Sequence, residues 1–215
     1  WYYVLGGSQT YVRAFLKGFP GAVRSASPIR SVMRTEDGVI LKRPDGEERH
    51  DSVVMATHAD EALRLLADPS ADEVSLLSPW RYAANRTVLH RDASFLPENR
   101  RAWASWNYIR PAGGRENDPA TLTYDMTRLQ HLPDDGGRIC VTLNPWKEVP
   151  PESVIETFLY AHPMYSFDAL ATQSRLSELN GRRHTYFCGS YFGYGFHEDA
   201  VRSAVAVAHR FGIEL

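Results

Sequence analysis

The residue pattern with the clearest chemical meaning lies near the end of the chain. Residues 185–188 predict a strand, residues 198–211 predict a helix, and Gly193-x-Gly195-x-x-Glu198 joins them. Glycines at such a junction let a phosphate or another electron-rich group approach the backbone amides at the start of the helix. A dinucleotide-binding turn is followed by an acidic ribose ligand about 20 residues later, and this chain ends sooner. We therefore expect the turn to face a ligand that binds mainly elsewhere.

The same turn also has an interpretation without any ligand. In that alternative the glycines only let the chain turn, and the following helix carries small residues so that it packs closely. These small residues are Ala200, Ser203, Ala204 and Ala208. The residue types favour the two interpretations about equally.

Two histidines are weak candidates for a catalytic acid or base. His197 lies in the glycine turn, where a structural hydrogen bond is as good an interpretation as proton transfer. His90 and Asp92 flank Arg91, and in a strand their side chains point to the same face. We expect a structural pair at His90 and Asp92, with a substrate contact as the alternative.

Three aromatic residues crowd one predicted strand, residues 102–110. Trp103, Trp106 and Tyr108 are candidates for lining an apolar substrate channel. Core packing is the favoured interpretation of these residues.

Composition excludes several classes of function. The net charge of −2 comes from charges mixed along the whole chain, without the basic stripe that a nucleic-acid partner requires. The histidines, cysteines and carboxylates show no metal-ligand spacing, and no serine lies in a G-x-S-x-G elbow. We therefore expect no metal site and no acyl transfer, and instead a small-molecule substrate.

The two cysteines and the apolar runs indicate the compartment. Cys140 and Cys188 lie in separate apolar segments, which favours reduced thiols and a cytoplasmic protein. No apolar run reaches the roughly 18 residues of a membrane span, and no signal peptide precedes the first predicted helix. The chain opens at Trp1 without methionine and within an apolar segment, so we expect a fragment of a longer protein. Its oligomeric state is left open.

The predicted elements indicate an α+β fold. A helix over residues 8–19 has Ser8 as its expected cap, and short alternating segments through residues 22–50 predict a β-meander. Residues 51–57 are nearly all apolar, which is typical of a strand buried on both faces. Helices are predicted next, one of them with a Ser70–Glu73 capping box. Further strands predict a second, mostly antiparallel sheet; they cover residues 82–90, 102–110, 121–126 and 139–143, with a later strand at 155–160.

The order of three segments resembles the FAD-dependent amine oxidase superfamily, the flavin-containing amine oxidoreductases. Gly6-Gly7-Ser8 before a helix resembles the glycine pair that opens an internal helix of that family. Residues 51–57 follow at a similar spacing. Cys188-Gly189 and Glu198-Asp199-Ala200 resemble the family's C-terminal motif, in which a strand leads through glycines to a helix.

A narrower resemblance covers nearly the full chain. It is to bacterial proteins described as predicted NAD/FAD-binding or amine-oxidase-like. The matching segments are Asn85, residues 89–92, residues 103–108, residues 142–145, His162-Pro163 and residues 195–199.

The resemblance implies a two-domain flavoprotein. Residues 1–58 and 180–215 would form a partial FAD-binding domain, and residues 59–179 would form the substrate-binding domain. The family's G-x-G-x-x-G fingerprint would lie upstream of Trp1, so we expect weak FAD binding and no activity from these residues alone. Cofactor contacts implied by matching position are Ile29, Ala56, Thr57, Gly189, Ser190, Phe196, His197, Glu198, Asp199 and Ala200.

The resemblance also implies a reaction. The intact protein would oxidise an amine or an apolar, lipid-like substrate by hydride transfer to flavin N5. Ser190 departs from the family pattern, which often has a carboxylate at this position, so the ribityl contact would be weaker. The rival hypothesis is a non-catalytic module that binds a ligand or a protein and has a structural glycine turn.

Overall fold

The computed structural model describes residues 2–110 and 121–214 and has the mixed α+β fold that the sequence predicts. Within the described residues the helices are α1 (Gln9–Gly18), α2 (Ala59–Leu65), α3 (Ala71–Leu77), α4 (Met126–Leu129), α5 (Phe167–Gln173) and α6 (His197–Arg210). The strands are β1 (Ser31–Arg34), β2 (Val39–Arg43), β3 (Gly46–His50), β4 (Val53–Met55), β5 (Arg81–His90), β6 (Trp106–Ile109), β7 (Thr121–Asp125), β8 (Cys140–Leu143), β9 (Val154–Met164) and β10 (Thr185–Phe187).

The chain divides into two compact units. Residues 23–83 and 162–215 form one, here called the turn unit, and residues 1–22 and 84–161 form the other, here called the sheet unit. The two units are defined by the contacts that residues make within the chain, not by function. The functional division predicted at residues 58/59 and 179/180 stays a prediction.

The turn unit is built around a large apolar core. Strands β1, β2 and β3 form the predicted antiparallel meander, and β4 pairs in parallel with β10. Helices α2, α3 and α5 contribute to the same core as these strands. Its fourteen fully buried members include Trp80, Leu77, Leu176, Phe187 and Tyr191.

One buried ion pair also stabilises the turn unit. The Arg34 guanidinium, on β1, is 1% exposed and binds Glu73 through Nη1 and Nη2 at 2.9 and 3.0 Å. Its Nε donates to Asp68 at 2.7 Å. Ser70 and Glu73 form the predicted capping box at the start of α3, so Glu73 serves both the helix cap and the ion pair.

The sheet unit contains most of a five-stranded sheet in the order β6-β7-β8-β5-β9. The pairs β6–β7, β7–β8 and β5–β8 are antiparallel, as predicted. Alternate residues of β7 and β8 are buried on one face. Four of these five are polar, namely Thr121, Thr123, Asp125 and Thr142, and the fifth is Cys140. The apolar cluster here has only three buried members, Val88, Phe95 and Val149.

Three local predictions are wrong. Ser8 precedes α1, but its side chain makes no capping bond because its own backbone is helical. The strand at β4 is not buried on both faces. Among the described residues β4 pairs with β10, but Val54 is 44% exposed because nothing covers its face of the strand. Residues 22–25 lie outside the meander and lead into a turn at Ala26, where φ is +53°.

Within the described residues, no helix is both long and apolar enough to cross a membrane.

Candidate functional site

The candidate site lies at the carboxyl end of the parallel strand pair in the turn unit. β4 and β10 run side by side, with Val53 opposite Thr185 and Met55 opposite Phe187. Each strand leads directly into a helix, β4 into α2 and β10 through the glycine turn into α6. Ligands of open α/β sheets bind at this edge, beyond the carboxyl ends of the strands. The position of the turn is therefore one where a ligand is expected.

Four of the predicted cofactor residues follow these two strands. Ala56 and Thr57 follow β4, and Gly189 and Ser190 follow β10 with Cys188 between. The Cys188 amide donates to the Met55 carbonyl oxygen at 3.2 Å, which continues the strand pairing. A Cβ on Gly189 would lie 3.5 Å from the Thr57 carbonyl oxygen. The structure thus brings the two predicted segments together, although their contact with a cofactor is untested.

Two glycines of the turn are required by their surroundings. Gly193 lies against Asp199, where any Cβ would overlap the carboxylate. Gly195 has a φ of +91°, which L side chains rarely adopt, and a Cβ there would lie 2.8 Å from the Tyr165 hydroxyl oxygen. The glycine pattern in the sequence is therefore explained by close approach at one position and by backbone conformation at the other.

The Asp199 carboxylate holds the turn from inside. Its Oδ2 accepts hydrogen bonds from the backbone amides of Tyr194 and Phe196, both at 3.0 Å. The residue is 7% exposed and lies in the first turn of α6, where negative charge stabilises a helix. Asp199 is thus occupied with the protein's own backbone.

Two further residues fix the turn, and the sequence analysis missed both. The Gln173 side-chain amide, on α5, donates to the carbonyl oxygens of Tyr191 at 3.1 Å and Gly193 at 2.7 Å. The Ser203 hydroxyl accepts from the Gly189 amide at 2.9 Å. Ser203 was noted in the sequence only as a small residue, and no local pattern marks Gln173. Together these bonds shape the turn before any ligand binds.

The start of α6 leaves two amides available for a ligand. The backbone amides of His197 and Glu198 donate to no acceptor among the described residues, as is usual for the first positions of a helix. The amides of Asp199 and Ala200, in contrast, already bond to the Phe196 carbonyl oxygen at 3.1 and 3.3 Å. The fourteen-residue helix also places the positive end of its dipole here. An electron-rich group, whether uncharged or anionic, suits this position.

Burial keeps two phenols and one thiol near the turn protonated. Burial raises the pKa of the Tyr191 phenol, whose hydroxyl has no hydrogen-bond partner among the described residues. Burial, followed by the nearby Asp199 charge, raises the pKa of Tyr165. Burial also raises the pKa of the Cys188 thiol. These three groups are therefore poor nucleophiles and poor bases, and a role of His197 as an acid or base stays a prediction.

The remaining predicted residues lie in other surroundings. Ile29 packs, half-buried, against the apolar core of the turn unit. His90 is fully buried in the sheet unit, where its Nδ1 accepts from the Asp92 amide at 3.1 Å. The pair therefore exists, but it is made through the main chain of Asp92.

The aromatic residues of β6 do not pack in a core. Trp106 is 52% exposed and Tyr108 is 64% exposed, so the core-packing interpretation is wrong for both. Trp103 is half-buried and lines a cavity of the sheet unit. A role for the three residues in substrate binding stays a prediction.

The described residues contain no cluster of three or more His, Cys, Asp or Glu side chains that is able to hold a metal ion. Both cysteines are free and buried.

Comparison with known proteins relates the chain to several solved structures. No family model matches it, and no curated protein matches its sequence. A fatty acid isomerase from P. acnes that produces CLA is 16% identical, with a TM-score of 0.66 over 96% of this chain and 52% of the other. A putative protoporphyrinogen oxidase from Exiguobacterium sp. 255-15 is 15% identical, with a TM-score of 0.62 over 95% of this chain and 51% of the other.

A third solved structure, putrescine oxidase bound to putrescine, is 14% identical, with a TM-score of 0.61 over 97% of this chain and 53% of the other. The chain thus spans about half the length of the solved structures that it matches. At these identities the likeness shows the fold alone, an α+β fold that the chain shares with about half of each of these proteins.

Proposed function

We propose that this chain forms the flavin-ring end of an FAD site in an amine-oxidase-like oxidoreductase. The observation that carries the proposal is the pair of free amides, on His197 and Glu198, at the carboxyl edge of β4 and β10. Such amides, with the positive end of the α6 dipole, would stabilise the negative charge that develops at N1 and the C2 oxygen of a reduced flavin. The fold shared with putrescine oxidase and with a putative protoporphyrinogen oxidase supports this proposal.

The residues around the turn fit the rest of such a cofactor. Ala56 is exposed and Thr57 is half-exposed, which suits contact with phosphates, and Gly189 and Ser190 beside them suit the ribityl chain or pyrophosphate. We place the Ile29 backbone near the adenine, following the family resemblance. We place Phe196 and residues 197–200 at the flavin ring, with Asp199 acting from inside the turn.

These contacts indicate which part of the reaction the flavin supplies and which part the protein supplies. When bound, the flavin supplies hydride acceptance at N5, and the protein supplies binding, orientation and electrostatics. In our proposal the backbone amides of α6 stabilise charge, while Gln173 and Asp199 keep those amides in position. No side chain at the turn is required as an acid or base, which agrees with the raised pKa values of Tyr165 and Cys188.

We propose an amine or an apolar, lipid-like molecule as the substrate. The exposed rings of Trp106 and Tyr108 offer apolar surface for such a molecule. In this proposal residues 59–179 bind the substrate, and residues 1–58 and 180–215 belong to the FAD domain. Two free, buried thiols agree with a reducing compartment, and we propose the cytoplasm.

One observation favours the rival function, a non-catalytic module with a purely structural turn. Asp199 and Gln173 satisfy four backbone groups of the turn without any ligand. In a non-catalytic module, these bonds would be the whole purpose of the turn.

Flavin content separates the two functions. We expect the complete protein that contains this chain to be purified with about one FAD per chain, measured by visible absorbance. A colourless complete protein that binds no added FAD would overturn the proposal. The 215 residues alone are expected to bind FAD weakly, since the family's pyrophosphate-binding fingerprint is not among them.

A pair of glycine variants tests the turn itself. Gly195 and Gly212 both have left-handed φ values, +91° and +73°, so alanine strains the backbone at both positions. We expect Gly195→Ala to weaken FAD binding by about tenfold or more, because it distorts the amides at the start of α6. Gly212→Ala, past the far end of α6, is the matched control and should retain wild-type affinity. Equal affinity in both variants would favour the structural turn.

A further inference from the structure

A second site is indicated by a cavity in the sheet unit, whose lining includes none of the residues proposed for the cofactor. Its volume is about 480 Å³. The 3-10 helix at Arg100–Ala102, the residues before β6 and the segment after β7 contribute its lining. The lining is unusual because it contains three arginines and a histidine, namely Arg100, Arg128, Arg138 and His131.

Trp103 gathers the three guanidinium groups. The Cζ atoms of Arg100 and Arg138 lie 5.4 and 5.1 Å from the centre of the Trp103 ring, within the range of cation–π attraction. Arg128 Nη1 donates to the Trp103 carbonyl oxygen at 3.0 Å. Three cations are thus held around one aromatic residue despite their mutual repulsion.

Two carboxylates lie beside these cations, and both form ion pairs with Arg138. Arg138 Nη1 lies 3.3 Å from Asp125 Oδ2, and Arg138 Nε lies 3.5 Å from Asp134 Oδ2. Asp125 is fully buried and contributes to the lining of the cavity. Within residues 2–110 and 121–214, the guanidinium groups of Arg100 and Arg128 form no ion pair with a carboxylate, although the Arg128 backbone amide donates to Asp125 Oδ1 at 3.1 Å. Among the described residues, three guanidinium groups and two carboxylates leave one net positive charge at the cavity, and the guanidinium groups of Arg100 and Arg128 are the ones without a carboxylate partner there.

His131, another residue of the cavity lining, has a strained backbone. His131 has a φ of +51°, which is uncommon for a residue other than glycine. Its ring stacks on Tyr3 with a centroid distance of 5.3 Å and an angle of 14° between the planes. Strained residues of this kind concentrate at functional sites, where the surrounding structure holds them. His131 thus adds an imidazole ring to the cavity lining.

We propose that this cavity binds a phosphate monoester. Guanidinium forks match the oxygen atoms of phosphate in geometry, and the two arginines without a carboxylate partner among the described residues can each donate such a fork to a phosphate group. The volume lies within the range of small-molecule sites and exceeds what a phosphate group fills, so it leaves room for the organic part of the ester. The site does not depend on the proposed flavin site, because the two share no residue.

Calorimetry with defined probes tests the proposal. Glycerol 3-phosphate, inorganic phosphate and acetate are titrated separately into the purified protein at constant ionic strength. We expect saturable binding of glycerol 3-phosphate, weaker binding of inorganic phosphate, and no binding of acetate. Acetate binding equal to that of the phosphates would overturn the assignment to phosphate esters.

Single arginine variants test the location. We expect Arg100→Gln and Arg128→Gln each to weaken glycerol 3-phosphate binding by about tenfold, as is typical for a lost charge-assisted hydrogen bond. Arg101→Gln removes the same charge from the same 3-10 helix, outside the cavity lining, and should bind like the wild type. If Arg101→Gln weakened glycerol 3-phosphate binding equally, the effect would come from the overall charge of the protein, and the proposal would be overturned. Circular dichroism verifies that each variant is folded.

An experiment with lipid vesicles distinguishes a lipid headgroup from a free phosphate ester as the ligand. Sedimentation with phosphatidic acid vesicles, compared with phosphatidylcholine vesicles, reports binding to a lipid headgroup. Retention on phosphatidic acid that is lost in Arg128→Gln supports the site with a lipid as its source. Absence of binding to both the vesicles and glycerol 3-phosphate overturns it.

Discussion

The two units of the chain stabilise their cores in different ways. The turn unit buries fourteen apolar residues in one cluster and places one ion-pair network, that of Arg34, beside it. The sheet unit buries a three-residue apolar cluster and a sheet face rich in hydroxyl, imidazole and carboxylate groups. Burying polar groups is tolerated only where each finds a hydrogen-bond partner. The stability of the turn unit therefore rests mainly on apolar burial, whereas that of the sheet unit depends on its hydrogen bonds.

A hydrogen-bond chain in the sheet unit illustrates this dependence. His90 Nδ1 accepts from the Asp92 amide, so the neutral ring carries its proton on Nε2, 2.8 Å from Thr142 Oγ1. Thr142 Oγ1 lies 2.9 Å from Thr123 Oγ1 on the neighbouring strand. The side chains of His90, Thr142 and Thr123 are all fully buried.

The largest effect is expected at the ion pair of the turn unit. Arg34→Met leaves the buried carboxylate of Glu73 unpaired, so we expect a loss of about 3–5 kcal/mol of unfolding free energy. Chemical denaturation measures this loss. Arg24→Met is the control, because it removes an exposed partner of Glu48 and should change stability little. A small effect of Arg34→Met would mean that the apolar cluster alone determines stability in the turn unit.

The next effect is expected at the polar face of the sheet unit. Thr142→Val keeps the shape of the side chain but removes the hydroxyl that His90 and Thr123 share. We expect a loss of about 1–3 kcal/mol, the usual cost of leaving buried polar groups unsatisfied. Thr157→Val, on the exposed strand β9, is the matched control. Equal denaturation curves for Thr142→Val and the wild type would remove the proposed contrast between the units.

A smaller effect is expected from pH. Burial lowers the pKa of His90 below the ordinary value of 6.5, so the folded protein holds this ring neutral while the unfolded chain takes up a proton. Stability from His90 is therefore complete above about pH 6.5 and is lost as the pH falls from there toward the lowered pKa. Unfolding free energies at about pH 8 and about pH 5.5 measure this loss. His90→Asn should show a shallower pH dependence, and an unchanged one would refute the assignment to His90.

The smallest effect is expected at a helix cap. Ser70→Ala removes the bond from the Glu73 amide to the Ser70 hydroxyl, at 3.2 Å, and should cost about 1 kcal/mol in the turn unit. Ser8→Ala is the control in the sheet unit, since the Ser8 side chain makes no capping bond. Thermal unfolding compares the two variants. A loss from Ser8→Ala as large as that from Ser70→Ala would contradict the capping assigned to the two serines.

Features set by neighbouring residues were predictable from the sequence. The Ser70–Glu73 capping box, the β-meander and the strand, turn and helix at the chain end all rest on patterns of a few residues, and all are observed. The exposed Val54 was not predictable, because burial of a strand face depends on what lies over it. Ser8 shows a related limit, since a cap needs an extended backbone as well as a suitable side chain.

The candidate site was predictable only in part. The glycines marked the turn, but Gln173 reaches it from another helix, and no local pattern signals such a contact. The arginine cavity was missed for the same reason, since Arg100, Arg128 and Arg138 are scattered in sequence and Trp103 brings them together. Asp199 was assigned to the ligand, while its carboxylate binds the turn. A sequence pattern indicates where a ligand is expected, but long-range packing decides which atoms remain free for it.

The pairing of β4 with β10 also has a consequence for the order of folding. Thr185 meets Val53 across most of the length of the chain, so closing this pair costs more chain entropy than closing any hairpin of the meander. Contacts of such long range form late, after local elements are in place. During synthesis the meander, α2 and α3 can form while Ala56 and Thr57 still lack their neighbours. The edge that we assign to the cofactor is therefore expected to be completed only after β10 has left the ribosome.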